Sequence, residues 1–238
     1  MNRSWKKNIC RLTQCLLVFV LVDSLALADE PTYGSVNGWG SLVDPDRDCS
    51  FTISNDYVGI KIPATPHDLS AELKRMNAPR VVQPMEGDFE IEVEVWGIQQ
   101  PELPTINTRT AYCGNGLVLM QDDQNYIRLE RAALRRGDTT RYYINFEQRI
   151  DGHNVRFGAP DDFAMEFDDG IYLKLIVQGT TVTGFVKIPN EEWHEMGKKK
   201  IDDKKPLAVG IAAVNATNSP LTASFRELRL TQLESAAE

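Results

Sequence analysis

Cysteine and histidine are scarce, at four and three in 238 residues. Cys10 and Cys15 fall within the first 28 positions, so only Cys49 and Cys113 remain beyond them. Two distant cysteines without clustered histidines make a poor case for zinc. His67, His153 and His194 stand apart among mostly polar neighbours and read as surface or loop residues. An excess of positive charge is also missing, because the formal charge is −8. Without Arg3, Lys6, Lys7, Arg11 and Asp23, 22 Lys and Arg stand against 33 Asp and Glu, a formal charge of −11. Such a balance argues against a general polyanion-binding surface, and the lysines at 198–200, 204 and 205 are interrupted by Asp202 and Asp203. Glycine and proline together make 28 residues and 42% of the chain is apolar, which excludes collagen, coiled coil and wholesale disorder. No nucleophile elbow, H-E-x-x-H or phosphate loop occurs.

Long apolar runs are confined to the start. Residues 1–28 (MNRSWKKNICRLTQCLLVFVLVDSLALA) combine a basic beginning, an apolar stretch from Leu16 to Val22, and Ala26-Leu27-Ala28. This is the pattern of a cleaved secretory signal peptide. Asp23 interrupts the run short of the ~18–20 apolar residues a membrane span needs. The expectation is a secreted or periplasmic protein comprising a single domain over residues 29–238, with no membrane span in the mature chain. In an oxidising compartment Cys49 and Cys113 are expected to pair, a bridge worth roughly 4 kcal/mol by loop entropy. Two separate buried thiols are the alternative.

Beyond residue 28 the apolar pattern has period two. Phe89, Ile91, Val93 and Val95 alternate with Glu90, Glu92 and Glu94, placing three carboxylates on one strand face and the apolar set on the other. Strands are expected at 51–53, 58–62, 116–120, 126–131, 141–150, 172–177, 181–186, 207–214 and 223–230. Turns are expected at 121–125, at Asp151-Gly152 and around Gly179. Residues 68–76 (DLSAELKRM) read as one or two helical turns capped by Asp68 or Ser70. Residues 190–206 read as a charged excursion at a strand connection. About a dozen strands without a long helix imply an all-β, two-sheet antiparallel sandwich.

Four stretches, WGSLVDPDRDCSF (39–51), PHDLSAELKRMNAPRVVQPMEGDF (66–89), GLVLMQDDQNYIRLER (116–131) and AVGIAAVNATNSPLTASFRELRL near the end, resemble bacterial DUF1349-type proteins. That family lies in the concanavalin A-like lectin/glucanase superfamily, and the resemblance spans about residues 35–232. It implies a jelly-roll sandwich with one curved, solvent-facing sheet where related members hold glycans. It implies little about activity, since jelly rolls host unrelated functions.

Candidate sites follow from residue type and facing. Glu92 and Glu94, with Glu90, could flank a glycosidic bond, because same-face strand neighbours sit about 6.6–6.8 Å apart. The laminarinase-like motif E-x-D-x-x-E of the superfamily fails here, since Glu92 stands for its Asp and Val95 for its final Glu. Asp44, Asp46 and Asp48 alternate in a rigid turn, which suits calcium, and superfamily members often carry a structural calcium ion. The turn is not an EF-hand loop, and a plain acidic turn is the other reading. For sugar binding, Tyr126, Arg128 and Glu130 share one strand face, Trp193 is a candidate for exposure, and Tyr142 and Arg131 are possible extensions of the row. Trp39 reads as core, and Asn215-Ala216-Thr217 matches a glycosylation sequon. Taken together these readings rank a non-enzymatic, carbohydrate-binding or carbohydrate-associated protein first. A structural or protein-interaction domain comes next, followed by a glycoside hydrolase.

Overall fold

The computed structural model describes residues 32–36, 38–97, 100–102, 111–155, 165 and 170–234. The stretch read as a signal peptide lies outside the described residues. In chain order the strands are β1 (Thr32–Val36), β2 (Gly40–Val43), β3 (Ser50–Ser54), β4 (Tyr57–Ile62), β5 (Leu69–Ser70), β6 (Arg75–Met76), β7 (Arg80–Met85), β8 (Phe89–Trp96) and β9 (Ala111–Met120). They continue with β10 (Tyr126–Arg136), β11 (Thr139–Ile150), β12 (His153–Asn154), β13 (Ile171–Gln178), β14 (Thr181–Lys187), β15 (His194–Lys200), β16 (Leu207–Asn215) and β17 (Leu221–Gln232). One sheet runs β1-β2-β7-β16-β9-β10-β11-β12 and the other β15-β14-β13-β8-β17-β4-β3, while β5 and β6 form a separate small ladder. Every pairing within the two large sheets is antiparallel. No helix among the described residues is long and apolar enough to cross a membrane.

The two sheets stack through one apolar interior, and side-chain alternation decides what enters it. From β8, Phe89, Ile91, Val93 and Val95 are fully buried, with Leu173, Leu175 and Val177 of the adjacent β13. Leu117, Leu119, Ile127, Leu129, Ile144 and Phe146 of the other sheet complete the same cluster. Trp39 joins it and donates its indole N–H to the Asn55 carbonyl at 3.2 Å. Asn115, on the inner side of β9, ties the layers by donating to the Trp96 carbonyl at 3.0 Å.

Turn chemistry follows the sequence closely. Residues 121–125 join β9 to β10, with the Gln121 amide donating to the Asn125 carbonyl at 2.9 Å. Asp151 and Gly152 both take positive φ, 50° and 77°, the geometry of a tight primed turn. β16 sits centrally between β7 and β9 as its apolar composition requires, and β17 lies inside its sheet between β8 and β4. The register of β17 against β8 shifts between Arg226 and Arg229, around Glu227 at φ 50°.

Three expectations need correction. Residues 68–76 form β5, a single 3-10 turn (Ala71–Leu73) and β6, and Ser70 at the N-cap makes no side-chain cap bond. Leu69 and Ala71 are instead drawn into a second apolar cluster on the outer face of the eight-stranded sheet, against Val118, Tyr126, Ala212 and Val214. The charged stretch 190–206 contains an edge strand, β15, whose lysines suit an unpaired edge. Cys49 and Cys113 are not bonded to each other. Cys113 is buried on the inner face of β9, with its thiol near Asn215 Oδ1 at 3.8 Å. Cys49 precedes edge strand β3 of the other sheet, beside Asp44 and Asp48.

Truncating Ile91 to Ala should lower unfolding stability by about 2–5 kcal/mol, while Glu90→Ala should cost less than about 0.5 kcal/mol. Urea denaturation of the two variants measures the contrast. Burial also pushes both thiols up, that of Cys113 to about 12, and Asp44 and Asp48 add to the effect at Cys49. Both cysteines should therefore react sluggishly with a disulfide reagent in the folded protein and promptly after unfolding, without prior reduction.

Candidate functional site

The outer face of the eight-stranded sheet carries a continuous polar row. Tyr126, Arg128 and Glu130 of β10 share this face, and antiparallel register sets them opposite Arg149, Glu147 and Asn145 of β11. Tyr112 reaches the row from β9, where Gly114 lies opposite Ala132. A Cβ on Gly114 would come within 2.8 Å of Tyr112 Oη and 3.2 Å of the Glu130 carboxyl carbon, so glycine is what lets these two groups meet. Arg131 and Tyr142 do not extend the row, because their positions in the alternation turn them to the inner side. The row's further members are Asn145, Glu147 and Arg149 of β11, which the run Ile144-Asn145-Phe146-Glu147-Gln148-Arg149 signals by its own alternation.

Segment 68–78 covers part of this face and is held to it by polar contacts. Tyr126 Oη donates to the Leu69 carbonyl at 3.0 Å and accepts from the Ala71 amide at 3.2 Å. Arg149 Nε pairs with Glu72 at 3.1 Å, and Arg128 lies 4.0 Å from Asp68. Beneath the cover, charges must find partners, since an unpaired buried charge costs several kcal/mol. Glu147 accepts from Arg128 Nε at 2.8 Å and also pairs with Arg149. Glu130 takes hydrogen bonds from Tyr112 Oη at 2.6 Å and Asn145 Nδ2 at 3.2 Å, with Arg128 at 3.5 Å.

Proton affinities divide the carboxylates. Burial raises Glu130 and Asp68 despite the nearby Arg128. Burial pushes Glu147 the same way, but Arg128 and Arg149 together outweigh it and hold Glu147 below the ordinary range. Glu147 is thus the ionised hub between two guanidinium groups. At one end of the row a cavity of about 340 Å³ opens between the 121–125 turn and residues 200–205. Tyr126 and Arg149 belong to both the row and the cavity wall, along with Gln121, Asn125, Gln148 and Lys205. Arg149 stacks over the Tyr126 ring at 5.7 Å.

The remaining candidates lie elsewhere. Glu90 pairs with Lys174 at 3.7 Å and Glu92 with Arg229 at 3.6 Å. Glu92 and Glu94 therefore stand on the outer face of the seven-stranded sheet, opposite the Tyr126 row. Trp193 is on that side too, with Lys174 Nζ 4.1 Å and Lys187 Nζ 4.9 Å from its ring. The sequon residue Asn215 is fully buried and donates to the Ser219 carbonyl at 2.7 Å, so its amide is closed to glycosylation in the fold.

Of the β2–β3 connection's three aspartates, Asp44 and Asp48 come together with the neighbouring Cys49 and with His67, which the fold brings in, while Asp46 is not part of that group. One donor atom from each of Asp44, Asp48, Cys49 and His67 lies within 4.8 Å of the others, a cluster that could coordinate a metal ion such as calcium. His67 is fully buried, not a surface residue, and its Nε2 sits 2.8 Å from Asp48 and 3.7 Å from Asp46. Asp48 and His67 are 19 positions apart, and the sequence between them gave no local signal of this meeting.

Replacing Glu147 with Gln should cost about 3–5 kcal/mol near neutral pH, as expected when one partner of a buried ion pair is removed. A depressed carboxylate contributes stability above its ordinary value of 4.5 and loses it as pH falls through the folded-state value. The gap between wild type and Glu147→Gln should thus be full at neutral pH and close in acid, as followed by urea titrations across that range.

The fold places the chain beside known structures. It resembles a functionally unknown protein from Saccharomyces cerevisiae, with TM-score 0.64 and 13% identity over 84% of this chain and 100% of that one. It also resembles the xylan β-1,4-xylosidase of Bacillus halodurans, with TM-score 0.54 and 15% identity over 80% of this chain. A GH43 protein from Bacillus licheniformis gives TM-score 0.54 at 12% identity over 79% of this chain. The chain spans only 39% and 40% of those two proteins. No family model and no curated protein matches the sequence. The shared architecture is the concanavalin A-like jelly-roll sandwich of two antiparallel sheets.

Proposed function

We propose that this is an exported, non-catalytic carbohydrate-binding protein of the DUF1349 type, which holds a glycan at the end of the Tyr126 row. The observation that carries this reading is the cavity of about 340 Å³, a size at the lower end for small-ligand sites. Its wall combines an aromatic residue (Tyr126) with amides (Gln121, Asn125, Gln148), carboxylates (Asp151, Asp202) and cations (Arg149, Lys200, Lys205). Sugar hydroxyls call for amide, carboxylate and cationic groups of this kind, while the buried Tyr126, with Arg149 over its ring and its hydroxyl held by Leu69 and Ala71, supports the wall from beneath. Part of the wall is fixed in advance. Gln121 Nε2 donates to the Asp202 carbonyl at 2.5 Å and Gln121 Oε1 accepts from the Asp202 amide at 3.1 Å, so the two loops that frame the cavity are tied together. Export rests on the pattern of residues 1–28.

A hydrolytic reading finds less support. Glu92 and Glu94 face away from the cavity, and Glu92 lies against Arg229. Glu130 and Glu147, on the cavity side, are buried and engaged by arginine, tyrosine and asparagine, which leaves neither poised to protonate a glycosidic oxygen or activate water.

Isothermal titration and glycan arrays spanning plant and algal polysaccharides should reveal a binding glycan. Lys205→Ala should weaken that binding about tenfold, the scale of one hydrogen bond from a charged group. Absence of binding to every polysaccharide tested would remove the proposal.

A further inference from the structure

The cluster around His67 gathers lone pairs that one bound cation would satisfy together. His67 Nδ1 lies 2.9 Å from the Thr65 carbonyl oxygen, which can only accept, so Nδ1 carries a proton. Nε2 then presents its lone pair to the Asp48 carboxylate at 2.8 Å. A histidine fixed through Nδ1 on a backbone carbonyl, with Nε2 directed at further donors, is the usual arrangement of a metal-ligating imidazole. A second proton on the ring would satisfy Nε2 alone, and the cluster has another unmet need. Asp44 is only 4% exposed; one of its oxygens accepts from the Cys49 amide at 3.0 Å, and the other, Oδ1, is buried without a hydrogen-bond partner. Cys49 Sγ completes the group, 3.7 Å from Asp48 Oδ1.

We propose that Asp44, Asp48, Cys49 and His67 form a binding site for a divalent transition ion of the zinc type. The donor set selects the ion. Calcium takes six to eight oxygens, whereas zinc takes four ligands from carboxylate oxygen, imidazole nitrogen and thiolate sulfur. Zinc bonds of about 2.0–2.3 Å place tetrahedral donors about 3.3–3.8 Å apart. The four donors already lie within 4.8 Å, so contraction by about 1 Å closes the shell. On binding, the Cys49 thiol gives its proton to solvent and the metal–thiolate bond forms. Two carboxylates and the thiolate then offset the ion's charge and leave the site anionic by one unit.

The site also has a structural consequence. It clamps the β2–β3 connection to His67, which opens the segment covering the polar row. That segment is held to the same connection by Asn77, which donates to Asp46 at 2.6 Å and accepts from the Asp68 amide at 2.9 Å. Metal at His67 therefore steadies the cover over Arg128 and Arg149.

Metal-stripped full-length protein titrated with zinc chloride should bind one equivalent and melt at a higher temperature, with chelator reversing the shift. Cobalt(II) in place of zinc should give a thiolate charge-transfer band that disappears in Cys49→Ser. His67→Ala should weaken zinc binding at least about 10–100-fold, since losing even outer partners of ligands has that effect. Cys49 is half-buried at a loop, so its serine variant keeps the test sound if His67→Ala fails to fold. The proposal falls if zinc does not bind, if cobalt shows no thiolate band, if Cys49→Ser leaves affinity unchanged, or if calcium binds in preference.

Discussion

A β-strand has two faces, and in this protein the core between the sheets claims one face of every central strand. Phe89, Ile91, Val93 and Val95 on one layer meet Leu117, Leu119, Ile127 and Leu129 on the other. Most polar groups of the sheets are thereby sent outward, to one of two exteriors that never see each other, with Asn115 and Arg131 among those kept inside. Glu92, Glu94 and Trp193 go to one, and Tyr126, Arg128 and Glu130 go to the other. The sandwich thus separates groups that sequence alone could have assembled into a single site.

The two exteriors differ in what lies over them. On the eight-stranded side, residues 68–78 pack Leu69 and Ala71 on Val118, Tyr126 and Val214, and that apolar contact takes the adjoining charges out of water. Arg128, Glu130, Glu147 and Arg149 are consequently paired, and the spread of their proton affinities records which pairs dominate. On the seven-stranded side, lysines stack on Trp193, Phe185 and Tyr172, and glutamates meet Lys174 and Arg229 nearer to solvent. Exposed ion pairs of that sort add little stability. The covered side is where geometry is held rigidly enough to present a defined wall, and the cavity opens beside it.

Facing was legible wherever alternation was long. The β8 run, the shared face of Tyr126, Arg128 and Glu130, the Asp151-Gly152 turn and the central position of β16 all follow from period two and turn chemistry. Misreadings arose where a local pattern had a tertiary competitor. Residues 68–76 have helical composition, yet apolar contact with the sheet draws them into a ladder with a single 3-10 turn. The lysine-rich stretch after Trp193 reads as loop, yet edge pairing with β14 makes it a strand. Arg131 and Tyr142 look like neighbours of the polar row in sequence, but parity sends them inward.

Residue order alone determined the all-β class, the facing within each strand and the acidic balance, because alternation and charge are properties of neighbours along the chain. Only the tertiary structure decided which strands adjoin, that Cys49 and Cys113 stay apart as thiols, and that His67 meets Asp48 across 19 positions. Those outcomes depend on the pairing of distant strands and on which layer each joins. No short window of sequence contains that information, since the energy that selects a pairing comes from the whole shared core.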